Sequence, residues 1–151
     1  MNVGEICSGD AVTIRPREDI VAAAQLMREK HVGFLVVVEP AMAEGTWRPV
    51  GVITDRDIVV TVVAREANPH ALRVDDVMTR QPVTVLADAS LDAALAEMWR
   101  VGVRRLPVVG DLGELVGVIA ADDMIERLTG QLRHVAGSIR TEQTVERALR
   151  P

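Results

Sequence analysis

The four residues Thr54-Asp55-Arg56-Asp57 carry the densest chemistry in this chain. They follow the apolar run Gly51-Val52-Ile53 and precede a helix-forming stretch, so they stand where a strand turns into a helix. A helix start presents unpaired N–H groups and a partial positive charge, which together suit an anion. A carboxylate in that first turn, here Asp57, can accept two hydrogen bonds from the vicinal hydroxyls of a ribose. The Thr54 hydroxyl can join as donor or acceptor. The same Thr-x-x-Asp spacing also describes a capping box, in which hydroxyl and acid satisfy only the helix's own free N–H groups. Both readings stand on these residues alone. No nucleophile sits beside a base and no Walker-type glycine loop occurs, so catalysis is not expected. His31, His70 and His134 lie far apart, and none has metal-ligand spacing with Cys7 or with another histidine, so no metal is expected.

The elements that must position these residues occur twice. Val12-Thr13-Ile14, a helix-like run and Phe34-Leu35-Val36-Val37-Val38 are matched by Val83-Thr84-Val85, a second helix-like run and Leu106-Pro107-Val108-Val109. Val12/Val83, Ala23/Ala94 and Met27/Met98 are each 71 residues apart, while Gly51/Gly117 are 66 apart, so the first copy carries the longer loop. Each copy reads as βαββα. Asp19 and Ser90 are good N-caps for amphipathic helices, and 34–39 and 105–109 are dense β-branched runs expected to be buried on both faces. Helices are expected over about 55–65, ending before Asn68-Pro69, and about 121–128, meeting Gly130, with a separate amphipathic helix over 131–149. His31 reads as the polar edge of the first helix's packed face. Trp47, in the loop Pro40–Pro49, reads as a ring tucked against its own unit, over a ligand or at a dimer face. A repeat of this kind cannot bury its apolar face alone, and two copies packed together leave a cleft.

Length and composition agree with that picture. The 151 residues suffice for one core-bearing domain, and 48% are apolar, yet aromatic residues are limited to Phe34, Trp47 and Trp99. The core is therefore aliphatic. A net charge of −5 argues against a nucleic-acid groove, which needs a basic face. One cysteine excludes an intrachain disulfide and fits a reducing compartment. No basic start leads into a long apolar run, so neither a signal peptide nor a membrane span is expected, and the cytoplasm is the default location.

In this order the fragments resemble a tandem pair of CBS domains, the Bateman module, of the stand-alone bacterial kind. The resemblance covers about residues 3–128 and includes Asp76-Val77-Met78-Thr79 leading into the second copy. It implies an α/β (α+β) fold with two βαββα repeats about a pseudo-two-fold axis, small sheets flanked by helices. The expected division is 1–68, 69–130 and a helical tail over 131–151. It also implies an adenosine nucleotide (AMP, ADP, ATP or NAD, sometimes S-adenosylmethionine) between the copies, with Thr54 and Asp57 on the ribose. Val12, Thr13, Gly33 and Phe34 would cradle the adenine, and Arg104 and Arg105 would meet the phosphates with Arg56 as a further contact. Arginine binds phosphate through paired, charge-assisted bonds, whereas the plain alternative is a solvated pair or a surface salt bridge. The second site would hold Thr84 and Asp123, but its closure reads Ala120-Ala121-Asp122-Asp123, with no threonine, and Gly33 and Phe34 replace its cations. One good site and one weak site are expected. The resemblance further implies a regulatory homodimer that signals to an unknown effector protein. The alternative is a structural dimerisation module with a vestigial pocket.

Overall fold

The computed structural model describes residues 1–150. Pro151, the last residue of the expected tail, lies outside the described residues. The first repeat contains β1 (Thr13–Ile14), α1 (Ile20–Lys30), β2 (Phe34–Pro40), β3 (Trp47–Thr54) and α2 (Asp55–Ile58). A connecting segment follows with α3 (Val74–Val77) and β4 (Thr79–Arg80). The second repeat contains β5 (Val85–Leu86), α4 (Leu91–Val101), β6 (Arg105–Val109), β7 (Leu115–Ala120) and α5 (Ala121–Leu149). The sheets are ordered β1-β2-β3-β4 and β5-β6-β7, and they touch through β3 and β7. In each, the leading strand runs parallel to the next, which a helix reaches by crossover, and the following pair is antiparallel. This is the expected mixed fold of two small sheets flanked by helices.

The caps act as their residue types dictate. The Asp19 carboxylate accepts the Ala22 N–H at 2.7 Å, and the Ser90 hydroxyl accepts the Ala93 N–H at 3.1 Å. Both helices end on a left-handed residue, His31 (φ 55) and Gly102 (φ 70). His31 therefore stops α1 and stands exposed, rather than edging its packed face. The Trp47 ring opens β3 and lies under the Arg15 guanidinium, 4.5 Å from its centroid.

Three local expectations differ from the structure. The strand expected at Val83-Thr84-Val85 begins two residues later, at Val85–Leu86, leaving Thr84 outside it. The helix expected over 55–65 begins at Asp55 but widens into a π turn over Val59–Val63. α5 runs unbroken through Gly130 and Gly137 as a single 29-residue helix. A glycine costs a helix only about 1 kcal/mol relative to alanine, too little to break so long a run. Thr129, Ser138, Thr141 and Thr144 also donate their hydroxyls to the carbonyls four residues back, at 2.8–3.0 Å.

The two aliphatic cores exchange segments. Ile14, Ile20, Leu35, Val37 and Ile53 form one core, and Val74, from the connection, is buried with them. Leu91, Met98, Leu106, Val108, Ile119 and Met124 form the other, and Val3, from the start of the chain, is buried with those. Backbone bonds fasten both exchanges: Gly4 N–H donates to the Ala87 carbonyl at 2.7 Å, and Val74 N–H to that of Glu18 at 2.8 Å. Ser8 and Val118 exchange N–H···O bonds at 2.9 and 3.0 Å. The crossings fall on Gly51 and Gly117, the glycines of the two Gly-Val-Ile runs. A Cβ at Gly51 would run into the Met78 side chain and lie 3.1 Å from the Thr79 carbonyl oxygen. One at Gly117 would collide with the Ser8 carbonyl oxygen and lie 3.1 Å from Cys7 Sγ.

Gly117→Ala is therefore expected to lower stability by about 1–3 kcal/mol, since the obstructing atom is backbone that cannot rotate away. Urea unfolding monitored by tryptophan fluorescence measures this, and an unchanged midpoint would contradict it. Cys7, beside the same crossing, has its thiol pushed up from the ordinary cysteine value because burial desolvates the thiolate, with its backbone hydrogen bond acting in the opposite sense. The folded protein should react with iodoacetamide more slowly at pH 8 than the urea-unfolded chain. That difference should narrow as pH rises above the ordinary thiol range.

Candidate functional site

Strand β3 delivers Thr54 to the start of α2 in an extended conformation (φ −115, ψ 161), the geometry of an N-cap. Its hydroxyl accepts the Asp57 N–H at 3.1 Å, and Asp57 Oδ2 accepts the Thr54 N–H at 2.8 Å. The capping box is thus formed. One carboxylate oxygen of Asp57 is used in it, and an ionised carboxylate retains acceptor capacity for further partners. Asp55 is anchored by its own N–H to the Gly33 carbonyl at 3.0 Å, and its Oδ1 accepts the Arg56 N–H at 2.8 Å. Its other oxygen occupies the space a Cβ on Gly33 would need, at 2.6 Å. Glycine at 33 lets the carboxylate lie flat against the backbone.

Thr54 and Asp57 face a cleft of about 710 Å³ between the repeats. Gly33, Phe34, Val52 and Asp55 line it from the first repeat, and Val103, Arg104, Arg105 and Pro107 from the second. Arg56 lines it as well. Arg56, Arg104 and Arg105 are all exposed, and none takes part in an ion pair among the described residues. Two uncommitted guanidiniums, Arg104 and Arg105, therefore face two carboxylates across the cleft, and Arg56 adds a third beside those carboxylates, of which Asp57 is half-buried. Such a cleft offers a carboxylate for vicinal hydroxyls at one wall and cations for an anion.

Val12 and Thr13 do not line this cleft. Val12 packs against the first core and its carbonyl accepts the Val36 N–H at 3.0 Å, while Thr13 is exposed and pairs with Val36 in the sheet. The connection, by contrast, contributes Thr79, Gln81, Pro82 and Val83, none of which was expected at the site. They reach the cleft because β4 pairs with β3, Gly51 opposite Arg80 and Val52 opposite Thr79. The one local signal for this was the Gln81-Pro82 step, with Gln81 in the left-handed region at φ 48. Trp47 is not at the cleft either.

The second potential site has a different character. Asp123 lines a separate cavity of about 410 Å³ with Glu5, Ser8, Glu126 and Arg127. Asp123 Oδ2 accepts the Ala120 N–H at 3.3 Å, but the reciprocal hydroxyl is missing because alanine stands at the cap. Thr84 does not line this cavity. Its charge is mainly acidic, where the first cleft has three arginines. Among the described residues, no group of three or more His, Cys, Asp or Glu is arranged to hold a metal ion, and no helix is long and apolar enough to cross a membrane.

The CBS domain family model matches residues 3–64 and 74–130. The chain belongs to the CBS domain family. This tandem CBS protein is 35% identical over 126 residues to the uncharacterized protein MK0525 of Methanopyrus kandleri, covering 83% of this chain and 62% of that one. It is 32% identical over 118 residues to the inosine-5'-monophosphate dehydrogenase of Korarchaeum cryptofilum, covering 78% of this chain but 22% of the enzyme. The chain thus spans less than two thirds of both relatives. Among solved structures, the CBS domain pair of protein MJ0100, in complex with 5'-methylthioadenosine and S-adenosyl-L-methionine, superposes with a TM-score of 0.71 at 26% identity. The superposition covers 85% of this chain and 99% of that one.

Cap and cleft functions of Asp57 separate by substitution. Asp57→Ala removes an acceptor from the helix start and should cost about 1 kcal/mol of stability. Asp57→Asn keeps an acceptor oxygen and should cost less than half of that. Paired thermal melts check the order, and equal losses would mean that the carboxylate's charge, not the hydrogen bond, caps α2.

Proposed function

We propose that this CBS pair is a regulatory module that binds one adenosine nucleotide (AMP, ADP, ATP or NAD) in the cleft between its repeats. The observation that carries the reading is that Thr54 and Asp57 of one repeat and Arg104 and Arg105 of the other line a single cleft. The free capacity of Asp57 takes the ribose hydroxyls, and the three arginines take the phosphates. The adenine lies against Gly33 and Phe34. The adenosine ligands in the MJ0100 CBS pair support the ligand class. The output is a change in the angle between repeats, which requires that the ligand bind the two shapes with different affinity. The module acts in the cytoplasm as a homodimer, and a separate effector protein reads the change. It carries no catalysis of its own.

A second reading has one observation in its favour: Thr54 and Asp57 already satisfy each other, so they have a purely structural occupation. On that reading the chain is an interaction scaffold with a vestigial pocket.

Isothermal titration with AMP, ADP, ATP, NAD and S-adenosylmethionine distinguishes the two. About one adenylate per chain is expected to bind. A lost charge-assisted hydrogen bond costs about 1.5–3 kcal/mol, so Asp57→Asn should weaken binding tenfold or more. Arg104→Ala with Arg105→Ala should weaken phosphorylated ligands similarly while leaving adenosine unchanged, and Asp123→Ala should change nothing. Silence across the panel would establish the scaffold reading. Loss of binding in Asp123→Ala alone would move the site to the other cavity.

A further inference from the structure

Beyond Gly130, α5 leaves the body of the protein, and every residue from 131 to 149 is exposed. Along this projecting helix Ile125, Leu128, Leu132, Val135 and Ile139 recur at alternating steps of three and four. The same register continues through Glu142, Glu146 and Leu149. Steps of three and four are the a and d positions of a heptad, the seam of a coiled coil. All five stay exposed within the chain, from 42% at Leu128 to 68% at Leu132. In proteins most helical stability comes from packing an apolar face rather than from intrinsic propensity, and this face has no partner within the chain.

We propose that this seam packs against the same seam of a second copy of the chain, as a two-stranded coiled coil over residues 125–139. Two observations select a second copy as the partner. The positions flanking the seam, Thr129, Gln131, Ala136, Ser138 and Gln143, are all uncharged. Identical helices therefore meet without like-charge repulsion, whereas a different helix would be selected by complementary charges at those positions. The charged residues Glu126, Arg133 and Arg140 stand further round, where they stay in water. The second observation is size. The exposed apolar seam amounts to on the order of 500–600 Å² per copy, so pairing buries roughly 1,000 Å² in total, the threshold of a specific interface. Glu142 and Glu146 occupy the next seam positions and end the tight contact there.

Single cysteines in a Cys7→Ser background, cross-linked with a short bismaleimide, test the pairing in the full chain. Leu132→Cys and Val135→Cys lie on the seam, and His134→Cys and Thr144→Cys lie off it. All four positions are exposed, so the body should fold in each variant, which an unchanged thermal midpoint verifies. Covalent dimer should form at least tenfold faster at 132 and 135 than at 134 and 144. Adding Ile139→Glu should reduce the seam rates to those off the seam. Equal rates at all four positions, or seam rates untouched by Ile139→Glu, would overturn the proposal.

Discussion

Neither repeat completes its own core. The first takes Val74 from the connection between the repeats, and the second takes Val3 from the beginning of the chain. Each borrowed segment crosses its host at the glycine of the Gly-Val-Ile run, Gly51 or Gly117, where a methyl group would meet the segment's backbone or its nearest side chain. Everything else follows from these crossings. They tie the two units into one body, add β4 to the first sheet and hold β3 near β7. Because both crossings use close backbone contact, their tolerance for added volume is low, as in any well-packed interior.

The cleft is a product of that arrangement. Once β4 pairs with β3, the segment Thr79–Val83 closes one side, and the start of β6 in the second repeat brings its arginines to the other. The helix start at Thr54 then looks into a space bounded by both repeats. Thr54 and Asp57 cap α2 and line the cleft at once, and the two roles do not conflict. Capping uses one carboxylate oxygen and the threonine's acceptor capacity, leaving the second carboxylate oxygen and the hydroxyl proton. A residue held by its own helix is also preorganised, with no rotamer freedom left to lose on binding.

Duplication does not make the two sites equal. Positions 33 and 34 of the first repeat are glycine and phenylalanine, and their equivalents in the second are Arg104 and Arg105. The first cleft therefore receives two cations from the opposite repeat. The cavity around Asp123 is instead edged by Glu5 and Glu126, with Arg127 as its one cation among the lining residues. The exchange of glycine and phenylalanine for two arginines gives the first cleft its opposing cations, while the helix start at Asp123 lacks a cap hydroxyl because alanine stands at position 120.

What could be read from the chain alone was whatever is decided within a few residues. The caps at Asp19 and Ser90, the dense buried strands and the Thr54–Asp57 spacing follow from hydrogen bonds and periodicities that close over three or four positions. The repeat supplied the family, and with it the expectation that Thr54, Asp57, Arg104 and Arg105 share a site. Three things only the tertiary structure decided: which core Val3 and Val74 join, that Thr79, Gln81, Pro82 and Val83 rather than Val12 and Thr13 line the cleft, and that α5 runs through two glycines. Contacts such as Ser8 with Val118 join residues more than a hundred positions apart, and no local pattern encodes them. A glycine's helix cost is a weak local preference that a long, otherwise favourable helix outweighs. Local free-energy preferences of about a kcal/mol name the elements, and the packing of distant segments assigns them their partners.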